Sequence, residues 1–423
     1  MSADRLQPAF PLPIPPCESE ADNRAIWVGS LDVSDVELGR DLELEAGSRF
    51  GKARLLIWES DMVRGFVELK VVSGSISAAD LQSALSSLPG PRHQPVEAEA
   101  LSMSVVVCTR DRPNDLRRCL AALVDMKHPE FEVIVVDNAP TTHATRRIVE
   151  SLTDNRVRYL RVDTPGLSRA RNAGVRAARH DHVAFTDDDV VVDARWLQAL
   201  GRGFAADRDI GCVTGLVASG QLESPSQLYF DRRVSWAENA HVTVFRLDDP
   251  PAGVPLFPFQ FGAYGTGANF GAKRSLLFEL GGFDEALGAG SPTGSGEDSD
   301  LFVRVVLAGH ALLYQPHAVV WHKNRIDGGS LSSQLENYGL GLGAVLAKLA
   351  GNPQARRAMA PLVARAALHA RRMVRVETSG AEEVGSDLAY RELRGILRGP
   401  WALHQARRHG LPRPLHLETE SRR

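Results

Sequence analysis

The sequence predicts an α/β protein, a mostly parallel sheet between helices, with a small β-rich N-terminal domain before it and a helical extension after it. Three observations predict this. From Ser102 onward, strand-like and helix-like stretches alternate. The strand-like stretches, such as "SVVVC" and "VIVV", are continuous apolar runs, as expected of strands covered on both faces of a parallel sheet. Polar residues gather just after the carboxyl ends of these runs, where such sheets bind ligands.

The elements follow in order. Residues 1–24, with the Pro-rich "PAFPLPIPP", are expected to form a flexible tail. Within residues 25–88, "AIWVGSLDV", "ARLLIWES" and "RGFVELKVV" read as strands, and "SAADLQSALSSL" as a helix capped by Ser77. "PGPRHQPVEAEA" reads as a linker, residues 89–101. In residues 102–330, "SMSVVVCT" is a first buried strand. "RDRPNDLRRCLAALVDM" is a loop and then a helix, capped by Asn114 or Asp115. "FEVIVVDNA" and "VRYLRVD" are the second and third strands, each followed by a helix, "TTHATRRIVESL" and "GLSRARNAGVRAAR". "HVAFTDDDVVV" reads as a fourth strand, and "DARWLQALGRGF" as a helix capped by Asp193. Residues 331–423 read as helical.

Composition narrows the function. The chain has 423 residues, 43% hydrophobic and 24% charged, which is ordinary for a soluble globular protein. A net charge of -3 argues against a nucleic-acid binder driven by overall charge. Cys17, Cys108, Cys119 and Cys212 lack metal-ligand spacing and suit a reducing cytoplasm. The N-terminus has no basic start followed by an apolar stretch, and no run reaches the roughly 18 apolar residues of a membrane span. A cytoplasmic protein without a transmembrane anchor is therefore expected.

The chemistry concentrates at strand ends. Thr109 and Arg110 follow the first strand, Asp137 and Asn138 the second, and Asp187, Asp188 and Asp189 the fourth. The Gly-rich dinucleotide fingerprint and the P-loop are both absent. Side chains alternate along a strand, so Asp187 and Asp189 can share a face. Adjacent like charges need a neutraliser, and the simplest is a divalent cation. Mg²⁺ or Mn²⁺ takes oxygen ligands and bridges carboxylates to substrate phosphates. The competing reading is a solvated acidic turn capping the next helix.

"SVVVCTRDRP", "VIVVDNA", "GLSRARNAG", "FTDDDV", "GGFDEALGAG" and "GEDSDLFVRVVLAG" together resemble the family 2 glycosyltransferases, which have the GT-A fold. The resemblance runs from about Ser102 to Asn324. It implies that Thr109 and Asp137 hold the nucleotide base, that Arg110, Arg171 and Asn172 contact the nucleotide-sugar, and that Asp187 holds the ribose. Arg169 is a weaker candidate on the same helix. It gives Asp188 or Asp189 to the metal, with His322 as a third ligand. It makes Asp298 the general base of an inverting displacement and Glu297 an acceptor-holding residue. Asn269 would contact donor or acceptor, and "GGFDEALGAGSPTGSG" would be a mobile loop over the donor. Lys323 and Arg325 could meet the diphosphate.

Each of these residues also has a plainer reading. Asp137 and Asn269 could be turn residues, Arg171 a surface arginine and Asn172 a helix-interior one. Asp298 and Asp300 could simply favour the positive end of a helix. His322 could be structural. Processive members of the family carry a Gln-x-x-Arg-Trp motif and membrane helices, and neither follows "GEDSD", which implies transfer of a single sugar. The implied partners are a UDP-, GDP- or dTDP-sugar and a glycan, lipid-linked or small-molecule acceptor. A sugar nucleotidyltransferase and a non-catalytic sugar-nucleotide binder remain as alternatives. The first usually opens with a Gly-rich, Arg-containing loop that "VVVCTRDRP" lacks. Beyond the resemblance, Arg356, Arg357, Arg365, Arg371, Arg372 and Arg375 fall among apolar residues. They suggest either a packed helical appendage with a solvated basic face or helices resting on anionic lipid.

Overall fold

The computed structural model describes residues 5–10, 24–36, 39–90, 100–234, 239–362, 365, 383–408 and 415. Cys17, Arg371, Arg372, Arg375 and most of the expected linker lie outside the described residues.

The N-terminal part contains β1 (Arg5–Leu6), β2 (Ile26–Asp32), β3 (Leu42–Leu44), β4 (Lys52–Glu59), β5 (Met62–Lys70), β6 (Ser75–Ile76) and α1 (Ala78–Ser87). The three strands read from the sequence form one sheet in the order β2-β4-β5. Ser77 caps α1 by accepting the Asp80 N–H. The expected tail is not wholly a tail. Arg5 and Leu6 pair with Glu43 and Leu44, and Phe10 is buried. The Phe10 ring lies against Gly220, where any side chain would collide with it.

This part is not a detached module. Ile26, Leu56, Trp58 and Val63 share one apolar core with Leu216, Ala218 and Trp321 of the large sheet. Arg54 pairs with Asp231 at 2.5 Å, and Arg195 pairs with Asp32 at 2.8 Å. Polar ties on both flanks thus reinforce a shared hydrophobic contact.

The large sheet uses β7 (Met103–Thr109), β8 (Phe131–Asn138), β9 (Val157–Val162), β10 (His182–Asp187), β11 (Val190–Val192), β12 (Ile210–Ser219), β13 (Thr243–Phe245), β14 (Asn269–Lys273) and β15 (Ala311–His322). Their order is β11-β15-β12-β14-β10-β7-β8-β9, with β13 also on β15. The run β10-β7-β8-β9 is parallel, as the alternation predicts. Helices α2 (Pro113–Val124), α3 (Ala144–Ser151), α4 (Leu167–Ala177), α5 (Trp196–Ala205), α6 (Pro225–Val234), α7 (Arg274–Glu279) and α8 (Glu297–Leu307) accompany it. Leu116, Leu120, Trp196 and Leu200 of α2 and α5 cover one face of the sheet. Val175, Phe302 and Val306 of α4 and α8 cover the other. The mixed α/β class with a parallel-rich sheet is thus as expected.

Several boundaries differ. α2 begins at Pro113, a first-turn position where a missing N–H costs nothing, so Arg112 and not Asn114 or Asp115 precedes it. α5 begins at Trp196, while Asp193 accepts the Arg195 N–H one turn earlier. "HVAFTDDDVVV" is two strands. β10 ends at Asp187 and β11 starts at Val190 on the far edge of the sheet. β14, which the strand reading of the sequence did not include, is an interior antiparallel strand between β10 and β12. Its Asn, Gly, Ala and Lys have low strand propensity, and the neighbouring strands override it.

Two helices, α9 (Gly328–Ala350) and α10 (Pro353–Met359), continue from the sheet, and α11 (Glu383–Arg408) packs along α9 in the same direction. α9 and α11 meet along glycines. Gly339 and Gly343 of α9 lie against the Glu392 and Ile396 carbonyls, and Gly399 of α11 against the Gly343 and Ala344 backbone. Gly341, on the other side of α9, lies against Ser295. Lys348 anchors α9 to the sheet domain through Asp284 and Asp300, both at 2.8 Å.

Candidate active site

A cavity of about 730 Å³ opens at the carboxyl ends of β7, β8 and β10. Thr109, Arg110, Asn138 and the acidic triplet form its floor, and Ala289, Gly290 and Gly294 one wall. The opposite wall is the start of α9, through Ser330, Ser333, Gln334, Asn337 and Tyr338. His322 and Arg325 complete the rim.

The triplet sits where the chain leaves β10. Asp188 Oδ2 accepts the Thr109 hydroxyl at 2.7 Å. Arg112 spans the next pair, donating Nη1 to Asp188 Oδ1 at 2.6 Å and Nη2 to Asp189 Oδ2 at 2.8 Å. A planar guanidinium matches two carboxylates in this way. Burial pushes the Asp188 carboxyl up to about 7, with Arg112 pulling the other way. Burial also acts upward on Asp189, but His322 and Arg112 outweigh it and hold that group below the usual carboxylate range. Arg112 is thus an internal counter-charge for the triplet. Its position directly after the strand end was the available signal in the sequence.

The same residues suit a divalent ion. His322 Nδ1 lies 2.9 Å from Asn324 Oδ1, which can only accept, so Nδ1 donates there and Nε2 is the nitrogen turned to the acidic triplet. That Nε2 lies 3.5 Å from Asp189 Oδ1. Among the described residues no three His, Cys, Asp or Glu side chains form a ready metal cluster. Two protein ligands, with the rest from phosphate oxygens and water, is how small divalent cations commonly bind at phosphate sites.

Behind the floor lies Arg171, buried at 3% exposure. It pairs with Glu297 at 2.9 Å and Asp187 at 3.3 Å and donates to the Gly267 carbonyl at 3.0 Å. Burial pushes the Glu297 carboxyl up to about 7, and neighbouring Asp298 adds to this. Asp298 is half-buried. Its Oδ2 accepts the Gly267 N–H at 2.7 Å and its Oδ1 the Ser299 N–H at 2.7 Å. Gly267 therefore links Asp298 to Arg171, and Arg171 links it to Asp187.

Not every expected residue reaches the cavity. Asn269 is fully buried, accepts from Trp196 Nε1 and donates to the Leu216 and Ala318 carbonyls, so its amide fastens strands and is turned away from any ligand. Asn172 likewise clamps the Phe283 backbone in both directions at 2.9 Å. Arg171 and Glu297 are a buried ion pair and do not line the cavity. Asp137 lies below the surface, accepting the Tyr159 hydroxyl at 2.8 Å, while its Oδ1 makes no hydrogen bond. Lys323 pairs with Asp115 at 2.9 Å and points to α2. The Gly-rich segment expected to be mobile is packed, with Phe283, Leu287 and Thr293 buried. The α9 wall was missed because it follows the motif-bearing region and has no sequence signature.

Residues 104–253, the span containing β7 and the whole acidic triplet, match the family model described as glycosyl transferase family 2. This stretch is a family 2 glycosyltransferase domain. The chain is 30% identical over 238 residues to a pre-mycofactocin glycosyltransferase of Mycobacterium tuberculosis, covering 56% of this chain and 44% of the relative. It is 32% identical over 126 residues to a hyaluronan synthase of Pasteurella multocida, covering 29% of this chain and 12% of the relative. The chain thus spans less than half the length of either. A mannosyltransferase from Pyrobaculum calidifontis, solved in complex with GDP-Man and Mn²⁺, is 19% identical with a TM-score of 0.48, covering 73% of this chain and 91% of that one. Asp298 and His322 lie beyond the matched span of the glycosyltransferase domain, so their placement rests on the geometry above.

Proposed function

We propose that this glycosyltransferase moves one sugar from a nucleoside-diphospho-sugar to an acceptor hydroxyl with inversion, with Mn²⁺ or Mg²⁺ bound. One observation carries the reading. A single cavity at the parallel strand ends is bordered by the acidic triplet, His322 and three arginines, Arg110, Arg112 and Arg325. Carboxylates and arginines on one cavity suit a donor that is itself anionic and brings a cation.

Asp189 and His322 would hold the ion, which when bound neutralises charge on the departing diphosphate. Arg110 and Arg325 would bind diphosphate oxygens. Asp298 would be the general base. The acceptor oxygen forms its bond to the anomeric carbon as the bond from that carbon to the diphosphate oxygen breaks. The acceptor proton passes to Asp298, and the nucleoside diphosphate leaves. The N-terminal part, sharing the core, would brace the sheet, and the start of α9 would help select the acceptor.

Thermal unfolding with UDP-, GDP- and dTDP-sugars, with and without Mn²⁺, tests this. One donor should raise the melting temperature only with metal. Asp298→Asn should keep that shift and lose donor turnover. The proposal fails if no donor at millimolar concentration stabilises folded protein.

A further inference from the structure

α11 shows solvent an apolar stripe. Tyr390, Leu393, Leu397 and Trp401 are 65%, 51%, 76% and 58% exposed. They recur at steps of three and four, so they share one side of the helix. The other side, Gly395, Gly399, Ala402, Leu403 and Ala406, is buried toward α9. Single exposed hydrophobics are ordinary, but these are four of the eight large ones among the described residues, and they lie in one row.

Charge runs along the same row. Arg394 and Arg408 are exposed there, while Arg398 at the flank pairs with Glu336 of α9 at 3.0 Å. The acidic residue of that stretch, Glu392, points away and pairs with Arg233 at 2.7 Å. Arginines beside exposed leucines, with Trp and Tyr in the row, fit a surface that is apolar underneath and anionic at its boundary. A second copy fits poorly, because a two-fold contact would set these arginines against each other.

We propose that α11 docks this protein on an anionic lipid surface through Tyr390, Leu393, Leu397 and Trp401. The inference does not depend on the transfer chemistry. α9 lies between this stripe and the cavity, so docking leaves the cavity wall untouched.

Co-sedimentation with vesicles tests it, using phosphatidylcholine alone and phosphatidylcholine with phosphatidylglycerol. The full chain should bind the anionic vesicles, release them as salt rises, and ignore the neutral ones. Leu397→Asp with Trp401→Ser should lower the bound fraction about tenfold. The Arg394→Gln and Arg408→Gln pair should weaken anionic binding while leaving thermal unfolding unchanged. No binding to anionic vesicles by folded protein overturns the proposal. So does equal binding to both vesicles. A dimer by light scattering that Leu397→Asp converts to monomer also overturns it, naming a second copy as the occupant.

Discussion

Asp298 and Asp300 stand two residues apart in the first turn of α8, and their surroundings separate them. Asp300 is wholly buried between Arg304 and Lys348, each at 2.8 Å, and these outweigh burial to hold its carboxyl below the usual range. Asp298 is half-exposed and bonded only to backbone and Ser299 groups. Asp300→Ala should therefore cost about 3 kcal/mol in chemical denaturation, because it leaves Arg304 without its carboxylate and Lys348 with Asp284 alone. Asp298→Asn, which keeps one of the two backbone acceptors, should lower the melting temperature less than Asp300→Ala and slow turnover by about 10² to 10⁴. Equal melting losses in the two variants would refute this division. Arg112 gives a third case. Without metal, Arg112→Ala leaves Asp188 and Asp189 facing each other and should cost roughly 1–3 kcal/mol, discounted because the arginine is 30% exposed. Added Mn²⁺ should then raise the melting temperature more in the variant than in the parent. An equal rise in both would mean that Arg112 and the ion do not share the same carboxylates.

At the level of elements, the glycines of α9 serve two neighbours. Gly343→Val would drive a side chain into the Ile396 carbonyl and part α9 from α11. Gly341→Val would instead press on Ser295, in the loop that leads to Asp298. Hydrogen exchange should rise in α11 for the first variant and around 288–296 for the second, and the same pattern in both would contradict the two-sided packing. These contacts explain what could be read from the chain. β2, β4, β5, β7, β8 and β9 were legible because each is rich in β-branched and other apolar residues, continuous in β7 and β8 and broken by charges in β5 and β9. The places of the acidic triplet and His322 beside the cavity were legible because the apolar runs before them mark where β10 and β15 stop. β14, the glycine seam and the α9 wall were not, since each is fixed by what lies beside it in space. Asn172 and Asn269 misled for the same reason. A buried amide that fastens backbone and one that meets a ligand are alike in sequence, and only the partners tell them apart.

For the whole molecule, the join between the N-terminal part and the large sheet carries a pH dependence. β15 bulges at Pro316–Ala318, where its pairing with β12 jumps from Gln315 to Val319. The bulge turns His317 toward β5, and Nδ1 accepts the Val63 N–H at 2.9 Å. Burial holds this imidazole down at about 4, from 6.5 when unfolded, helped by Arg202. A lowered histidine binds its proton more readily in the unfolded chain. Stability is therefore full above about 6.5 and falls as pH drops toward about 4, by up to about 3 kcal/mol. Melting followed from pH about 7 to about 4.5 should show a shallower decline in His317→Gln, which keeps an acceptor without the proton. Parallel declines would place the effect on another group. The crossing from β10 to β11 acts at the same scale. Asp188 and Asp189 are the whole bridge between a central strand and an edge strand, and Val190–Val192 pair with Val320–His322 in fixed register. Val190 and Val192 are buried while Val191 is half-exposed. One inserted residue would slip that register and turn the wrong valine inward. The two-residue bridge is therefore also a ruler, its length held by the register of β11 as its charges are held by Arg112.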